Sequence, residues 1–521
     1  MTRRVHRLDI GPLVGHATPG GFRLWGRTLR SRTVGVARIR RKGTAEWLAP
    51  VTFPFVEHYD HVGLIDFGRT LGEPTGPLLE PDTVYEHQVG FVDLEHDENT
   101  LPTDASSDWS ELADQVGTAR TFPASGGGRT VFFFGSCRDK LPSRGENTFR
   151  SMFESSKNRE DRRPDFLMML GDQVYVDHVS PFARLRGPFP FSRYTRTYRK
   201  AFGQARFGEL LRNLPTYTSM DDHEVQNNWT RGKFDADENR THWKQQYKPD
   251  TMTHGLRAYE AYQGALCPLA TTDDFQRHRF PELAGRTRYH YTFRHGDADV
   301  FVLDTRSDSD VRTKRDEEAR PTVEPKLLGP DQFAALKDWL IDRQAPVKIV
   351  ASPLPFFPDT QGPLGAPEDK WGGAVQQRAE LLDFIWTHHQ QIPRLVILSG
   401  DVHVSFIARL TREDVKDYAI YNVVSSAFHW AILGAQLFSF AWGPLDRAAK
   451  DGTQPGKRYR SQRYFNQDVT LPIKPRPIHQ RNNFARLTVE NNEVTVEFLR
   501  GTRWFFERPG EKVLERTVLT F

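Results

Sequence analysis

The sequence predicts an α/β protein preceded by an N-terminal β-sandwich. Two observations lead to this prediction. Residues 1 to about 122 contain short stretches in which apolar and polar residues alternate, separated by turns rich in Gly, Pro and Thr, as in antiparallel sheets. From residue 131 onward, apolar runs of strand length alternate with longer segments of helical periodicity, as in layered α/β domains.

The composition is that of a large soluble protein with more than one hydrophobic core. A chain of 521 residues exceeds the size that one core supports, and 38% of its residues are hydrophobic while 26% are charged. The formal net charge of +4 is small for this length, so bulk charge does not predict nucleic-acid binding. The two cysteines, Cys137 and Cys267, cannot form a disulfide framework, which favours a reducing compartment.

The first 122 residues are predicted to form the sandwich domain. A turn at Pro81 and Asp82 leads into a strand carrying Tyr85, the position of the tyrosine corner in fibronectin type III-like sandwiches. Two interpretations of this domain stay open, a structural module packed on the rest of the chain and a binding module. Residues 123–129 are a Gly-rich linker by composition, and residues 130–521 form the second domain.

The second domain contains the alternating elements. Its last part reverts to β structure, with Asn491 and Asn492 as a turn between two strands. The predicted strands are 166–170, 300–303, 348–351, 395–398, 484–489 and 494–498, and the predicted helices are 193–213, 251–263, 331–343 and 376–389.

Four apolar runs of the second domain end in side chains that bind metals. Taken singly, each has a common explanation, such as a small buried thiol, a Gly-Asp turn or an acidic helix start. Together, four strand ends that carry such residues predict one shared site. In chain order the strand-end residues are Cys137, Asp172 with Tyr175, Asp222 with His223, and Asp401 with His403, of which the last two would face the same side if the strand continued.

The predicted ligands fall into two chemical classes. A thiolate, an imidazole, a phenolate and a bridging carboxylate suit a trivalent or borderline transition metal, most naturally iron. The carboxylates of Asp222 and Asp401, with the shared Asp172, suit a harder divalent ion such as calcium, magnesium or manganese. Two ions that share Asp172 would bind both the attacking and the leaving oxygen of an in-line displacement, so the residues predict a two-metal hydrolytic site.

These motifs resemble those of the PhoD-like (alkaline phosphatase D) family, relatives of the calcineurin-like and purple acid phosphatases. The resemblance implies a fibronectin type III-like sandwich followed by a four-layer α/β/β/α metallophosphatase domain. It implies a metal-dependent phosphoesterase. The segments that carry the resemblance, in family order, are 11–16, 24–27, 135–137, 171–175, 221–224, 304–306, 371–373 and 400–403.

The resemblance also implies a ligand for each position of the site. The second ion, expected to be Ca(II) with Mg(II) or Mn(II) as alternatives, would be held by Asp172, Asp222 and Asp401. The family places an Asn after residues 221–224; either Asn227 or Asn228 fits, and we assign Asn227 to the metal and Asn228 to the substrate. The implied ligands of Fe(III) are Cys137, Asp172, Tyr175 and His403.

Three further residues are expected to act on the phosphate ester. His223 would protonate the leaving alkoxide as a general acid, with a supporting structural role as the alternative, while Asp172 is the shared catalytic carboxylate. Arg306 would place its guanidinium on phosphate oxygens, with a salt bridge to Asp304 or Asp308 as the alternative. Arg138, next to Cys137, is a second candidate for phosphate binding.

The predicted substrate is a small phosphate ester, and the sequence leaves the choice between monoester and diester and the oligomeric state open. One alternative is a nuclease on the same metal core, with residues 184–200 and their aromatic side chains (Phe189, Phe191, Tyr194 and Tyr198) as its groove. A second alternative is a non-enzymatic binding protein with a structural metal site. The twin arginines at the N-terminus lack a following apolar region and no apolar run has the length of a membrane span, so a cytoplasmic location is expected.

Overall fold

The computed structural model describes most of the chain. Among the residues it describes, no helix combines the length and the apolar character that crossing a membrane requires. The described residues are 2–74, 76–96, 98, 106–124, 127–139, 142–158, 163–177, 189–238, 249–283, 286–310, 325–342, 345–357, 370–412, 414–430, 459–460, 468–470, 479, 481–501 and 511–521.

The N-terminal strands form two antiparallel sheets and one short parallel pair. They are β1 (Thr2–Arg4), β2 (Ile10–Thr18), β3 (Gly21–Arg27), β4 (Thr33–Arg41), β5 (Val51–Phe53), β6 (Val62–Gly68), β7 (Val84–Asp93), β8 (Ser106–Asp108) and β9 (Gly117–Arg120). One sheet has the order β2-β3-β6 and the other β5-β4-β7-β9, while β1 pairs with β8. Two antiparallel sheets in this part of the chain agree with the predicted sandwich.

Tyr85 occupies the corner that the sequence predicts. It is buried at the start of β7, and the backbone N–H of Glu80, five residues upstream, donates to its hydroxyl at 3.0 Å. This bond joins the incoming loop to the strand, which is what a tyrosine corner does in sandwich domains.

The rest of the chain forms two large sheets. Its strands are β10 (Thr130–Arg138), β11 (Phe166–Leu170), β12 (Thr216–Ser219), β13 (Glu282–Leu283), β14 (Arg286–Thr287), β15 (Tyr291–His295), β16 (Ala298–Val302), β17 (Val347–Ala351), β18 (Leu395–Ser399), β19 (Phe406–Arg412), β20 (Val415–Val424), β21 (Ser426–His429), β22 (Tyr459–Arg460), β23 (Asp468–Thr470), β24 (Phe484–Glu490), β25 (Glu493–Gly501) and β26 (Glu511–Leu519). The seven-stranded sheet has the order β12-β11-β10-β24-β25-β26, with β21 beside β10, and the eight-stranded sheet has the order β15-β16-β17-β18-β20-β19-β23-β22. Strands β10, β11 and β12 are parallel, as are β16, β17, β18 and β20, so each sheet gathers strand ends at one edge.

Helices alternate with the strands of the second domain along the chain. They are α1 (Pro142–Asn158), α2 (Phe191–Phe202), α3 (Ala205–Leu211), α4 (Arg231–Glu238), α5 (Pro249–Tyr262), α6 (Thr272–Gln276), α7 (Pro330–Ile341) and α8 (Val375–Thr387). In β17, Ile349 belongs to the core between the sheets, whereas its neighbour Val350 belongs to the core beneath α7 and α8. Both faces of the eight-stranded sheet are therefore buried, and the predicted α/β fold class with its α/β/β/α layers is confirmed.

The N-terminal sheets pack against the helical part of the second domain. The indole of Trp25 donates to the carbonyl of Ala261 at 2.8 Å, and Arg23 donates to the carbonyl of Cys267 at 3.2 Å. Burial of a large apolar side chain, as at Trp25, contributes roughly 1.5–3 kcal/mol to the free energy of unfolding. These contacts support the structural interpretation of the sandwich. The proposed boundaries of the sandwich (1–122), linker (123–129) and catalytic domain (130–521) stay a prediction.

Most predicted elements lie within a few residues of the observed ones, with one exception. The helix predicted over 193–213 is two helices, α2 and α3, because the chain turns at Gly203 and Gln204 between them. The turn at Asn491 and Asn492 has both residues in the left-handed region, as a tight hairpin between twisted strands requires.

Candidate metal centre

Two glycines allow the strand-end loops to approach one another. Gly171 has φ of +79°, and a Cβ at this position would lie 2.4 Å from the Cβ of Asp221. A Cβ on Gly400 would lie 2.4 Å from the side chain of Ser136. Any other residue would push these loops apart, so close approach explains the glycine in both Gly-Asp sequences of the site.

Cys137 brings a thiol to the end of β10. It is fully buried, its N–H donates to the carbonyl of Gly171 at 3.2 Å, and the hydroxyl of Ser136 donates to its sulfur at 3.3 Å. The sulfur lies 3.5 Å from Oδ2 of Asp172. The first two predicted ligands are therefore in contact.

Asp172 follows β11 and lies at the centre of the site. Its Oδ2 accepts a hydrogen bond from the hydroxyl of Tyr175 at 3.0 Å. Its Oδ1 is buried and has no hydrogen-bond partner among the described residues. A buried carboxylate oxygen without a partner is costly unless a cation binds it, which is the first sign that the residues fit a metal.

Glu224 ties together the loops that follow β11 and β12. Its two oxygens accept hydrogen bonds from the N–H groups of Asp172 (3.0 Å), Gln173 (2.7 Å) and Asp221 (3.0 Å), and from the amide of Gln263 (2.9 Å). Asp221 and Glu224 also form a capping box around a 3₁₀ turn over Asp222–Glu224. The sequence analysis gave Glu224 no role of its own, although an Asp followed three residues later by a Glu is the signal of such a box.

Asp401 and His403 follow β18, but not as an extension of that strand. The strand ends at Ser399, so alternation along a strand does not align the two side chains. They lie in a turn instead, where the N–H of Asp401 donates to the hydroxyl of Ser136 at 3.1 Å, and Nε2 of His403 lies 3.4 Å from the hydroxyl of Tyr175.

Four of the predicted ligands have a left-handed backbone. Their φ values are +56° for Cys137, +56° for Asp172, +65° for Asp401 and +55° for His403. Non-glycine residues rarely adopt this conformation, and it costs of order 1–3 kcal/mol each unless the surroundings impose it. The hydrogen bonds to these four loops impose it here and aim the side chains inward.

The candidate ligands converge on one place. Among the described residues, potential ligand atoms form three sets. Within each set the atoms lie within 4.8 Å of one another, and Asp172 belongs to every set. The first set agrees with the predicted iron ligands, while the second adds His223, which the sequence analysis treated as a proton donor. The sets are Cys137 with Asp172 and His403, Asp172 with Asp222 and His223, and Asp172 with Asp221 and Asp401.

The electrostatics of the site fit cation binding. Burial raises the pKa of the Cys137 thiol well above its usual value, and the charges of Asp172 and Asp401 raise it further. Burial likewise raises the pKa of Tyr175, as does Asp172. Burial also raises the pKa of Asp172, which the charge of His223 opposes and the neighbouring carboxylates reinforce. Without a cation these groups therefore hold protons, and a bound metal reverses this tendency and releases the thiolate and phenolate.

His223 is held by a carboxylate that the sequence analysis did not identify. Its Nδ1 lies 2.8 Å from Oδ1 of Asp177, whose Oδ2 accepts from the N–H of Asn227 at 2.8 Å. Burial opposes ionisation of Asp177, but the charge of His223 and its hydrogen bond outweigh burial and lower the pKa of Asp177 to about 2. Burial lowers the pKa of His223, yet Asp222, Asp172 and Asp177 together raise it well above its usual value.

The two predicted phosphate-binding arginines point to protein atoms. Arg306 is fully buried and lies 2.5 Å from Oδ1 of Asp221 and 3.6 Å from Oδ1 of Asp222. It therefore stabilises the loop after β12 from the protein interior. These two salt-bridge partners are not the ones that the sequence analysis considered, and the carboxylate of Asp304 accepts a hydrogen bond from the backbone N–H of Arg306 at 3.1 Å. Arg138 donates to Gln204 at 2.6 Å and to the carbonyl of Ala201 at 2.5 Å. A phosphate-binding role for either arginine stays a prediction.

Asn227 and Asn228 follow the 3₁₀ turn. The N–H of Asn227 donates to Oδ2 of Asp177, and the N–H of Asn228 donates to Oδ2 of Asp222. Asn228 is exposed, whereas Asp222 is buried, so Asn228 lies on the solvent side of the predicted ligand. Their assigned roles, metal for Asn227 and substrate for Asn228, stay predictions.

Two further residues border the site without a signal in the sequence. Lys370 forms an ion pair with Oδ2 of Asp401. The indole ring of Trp430 stacks on His403, with 3.7 Å between ring centroids. Each comes from a distant part of the chain, so only the fold brings it to the site.

The comparisons with known proteins agree with this geometry. Alkaline phosphatase D of Bacillus subtilis (strain 168) is 26% identical over 319 residues, which are 57% of this chain and 50% of the relative, so the match spans half of the relative's length. A solved structure of PhoD covers 99% of this chain and 91% of its own with a TM-score of 0.68 and 15% identity, which shows a shared fold. The family model for PhoD-like phosphatases matches residues 132–497, more than two thirds of the chain. The chain therefore belongs to the PhoD-like phosphatase family.

Proposed function

We propose that the chain is a metal-dependent phosphoric ester hydrolase. The observation that carries the proposal is the carboxylate of Asp172, which belongs to all three sets of candidate ligands. Its buried Oδ1 has no hydrogen-bond partner in the described part of the chain. Family membership supports a phosphate ester as the substrate. Both phosphomonoesters and phosphodiesters fall within this proposal.

The donor atoms support two cations of different kinds. We assign Fe(III) to Cys137, Asp172, Tyr175 and His403, because thiolate and phenolate stabilise the oxidised state. We assign a divalent ion, Ca(II) or alternatively Mg(II) or Mn(II), to Asp172, Asp222 and Asp401, whose oxygens suit a hard cation, with Asn227 as a further ligand. When bound, such ions lower the pKa of water and neutralise the charge of the phosphoryl group.

The chain itself supplies the proton for the leaving group. The bond between Nδ1 of His223 and Asp177 fixes the orientation of the ring, which leaves Nε2 as the nitrogen that delivers a proton to the departing oxygen. The charges of Asp222, Asp172 and Asp177 raise the pKa of His223 against the opposing effect of burial. Of the three, Asp177 is not a proposed metal ligand, so its charge is the one that would keep that proton available with cations bound.

The nuclease alternative requires exposed aromatic rings along its groove. Tyr194 and Tyr198 are fully buried within the protein and Phe189 is 4% exposed, so these rings cannot stack on bases, whereas Phe191 is half-buried. Residues 184–188 of the proposed groove lie outside the described residues. The geometry therefore favours a small ester over a nucleic acid.

Elemental analysis and an activity panel test the proposal together. Purified protein should contain iron and a second metal, and should hydrolyse aryl phosphate monoesters or diesters. Asp172→Ala should lose metal and activity, whereas Asp414→Ala, which removes an exposed carboxylate bonded to Arg412, should lose neither. Metal-loaded protein that hydrolyses no ester would support a binding protein, and cleavage of DNA alone would support a nuclease.

A further inference from the structure

Two basic side chains, Arg306 and Lys370, contact different carboxylates of the site. Arg306 contacts Asp221 and Asp222 from the interior, and its side chain is 1% exposed. Lys370 contacts Asp401, and the two side chains are 18% and 15% exposed. The side chain of Lys370 is therefore partly accessible to an anion from solvent, whereas that of Arg306 is enclosed.

A buried tryptophan fixes where Lys370 lies. The next residue, Trp371, is fully buried, packs on Phe356 at 4.7 Å and donates from its indole to the hydroxyl of Ser352 at 3.1 Å. The N–H of Gly373 donates to the carbonyl of Lys370 at 2.7 Å, which closes a turn. The backbone of Lys370 is thus anchored in the core while its ammonium reaches the edge of the site.

The position of Asp401 gives this lysine a chemical role. Asp401 shares a set of ligand atoms within 4.8 Å with Asp172 and Asp221, and Asp172 and Asp401 are both assigned to the second ion, so the ammonium lies beside one of its proposed carboxylates. A phosphoryl group that enters at these carboxylates would meet the ammonium of Lys370. A lysine is a compact point charge with three donors, which suits an oxygen of phosphate while the contact with Asp401 persists.

We propose that Lys370 is a substrate-binding residue that contacts the phosphoryl group and favours esters carrying two negative charges. This inference rests on the proposed function. Coulomb attraction to a dianion, such as a phosphomonoester, is twice that to a monoanion, such as a phosphodiester, at the same distance. Lys370 therefore strengthens the binding and turnover of monoesters more than those of diesters, and it performs the task that the sequence suggested for Arg306.

The test compares Lys370→Met with Lys370→Arg and with a matched control. Lys337→Met is the control, because Lys337 also forms an ion pair, 2.9 Å from Glu380, but on the exposed faces of α7 and α8. The affinity for inorganic phosphate is measured by calorimetry on metal-loaded protein, kcat/KM is measured for one aryl monoester and one aryl diester, and both metals are quantified. Thermal unfolding checks that each variant is folded.

Lys370→Met should weaken phosphate binding and lower kcat/KM for the monoester by on the order of 10²-fold, with a several-fold smaller loss for the diester. Lys370→Arg should recover part of both, and Lys337→Met should change neither. Unchanged phosphate affinity, equal losses on both esters, or loss of metal from Lys370→Met would overturn the inference. Failure of the wild-type protein to hydrolyse any ester would instead overturn the proposed function, while the phosphate titration would still decide the role of Lys370.

Discussion

The site has two halves, one around Cys137, Tyr175 and His403 and the other around Asp401, and they differ in their exposure to solvent. Cys137 and Tyr175 are fully buried, and Trp430 covers the ring of His403. On the other side, the side chain of Asp401 is 15% exposed and contacts Lys370 at the surface. The sealed half offers sulfur, phenol and imidazole, and the open half offers oxygen. We therefore expect the cation proposed for the buried half to exchange slowly, and substrate to arrive at the half that carries Asp401 and Lys370.

Replacing the carboxylate that both halves share should have the largest effect. Asp172→Ala removes an oxygen from every set of candidate ligands, so the content of both metals should fall and kcat/KM should drop on the order of 10³-fold or more, about 4 kcal/mol of transition-state stabilisation. Elemental analysis beside a rate measurement checks this expectation. Wild-type metal content in this variant would contradict the shared role.

The proposed proton donor, His223, should show its role through the leaving group. His223→Ala should slow esters with alkoxide leaving groups by about 10²- to 10⁴-fold and activated aryl esters far less, since a phenolate departs without a proton. Asp177→Asn should give a weaker form of the same pattern, because it removes the charge that faces Nδ1. Metal content should stay intact.

His389→Ala is a suitable control for His223→Ala. The ring of His389, which follows α8, is hydrogen-bonded to the carbonyl of Trp386. Equal losses across leaving groups, or loss of the second metal, would make His223 a ligand, as the set that it forms with Asp172 and Asp222 also permits.

Chelation should separate the two halves in time. A chelator in solution reaches the oxygen-rich half first, so activity should disappear while the iron and its visible absorption persist. Adding back a divalent ion should restore activity. The measurement is a time course of activity, absorbance and metal content in one sample, and simultaneous loss of both metals would show that the halves are equally accessible.

The smallest effect on turnover is expected from Tyr175→Phe. This change should bleach or shift the absorption band that phenolate and thiolate give on Fe(III), while the fold and the open half persist. Tyr418→Phe is the matched control, since it removes a buried phenol that packs on Trp386, away from the site. Colourless, iron-free and fully active wild-type protein would contradict the assignment of iron.

The fold was predictable where local signals and burial agree. The strand at residues 166–170 is observed with the same bounds, because a short apolar run after a turn has few alternatives. Tyr85 was predictable because its corner depends on neighbours in sequence. The helix over 193–213 was not, because the break at Gly203 depends on how α2 and α3 pack rather than on periodicity.

The site was predictable as a list of residues but not as an arrangement. Ligand types at strand ends are visible in sequence, whereas the left-handed backbone of Cys137 is not, since nothing about a cysteine favours it. Asp177 and Lys370 escaped notice because neither lies at a strand end. Arg306 was placed on the substrate because its partner, Asp221, is distant in sequence and only folding brings them together.

The loops around the site owe their shape to protein contacts, and this has a consequence for maturation. Glu224 fixes the Asp172 loop and Ser136 fixes the Asp401 loop through hydrogen bonds that need no ion. We therefore expect the polypeptide to reach its native form before loading, unlike small zinc domains that fold only with metal. The iron proposed for the buried half would then enter through a transient local opening, which is slower than entry at the surface. Protein made under iron starvation should accumulate as a folded, long-lived and inactive pool, and the opening of this half sets how fast that pool becomes competent.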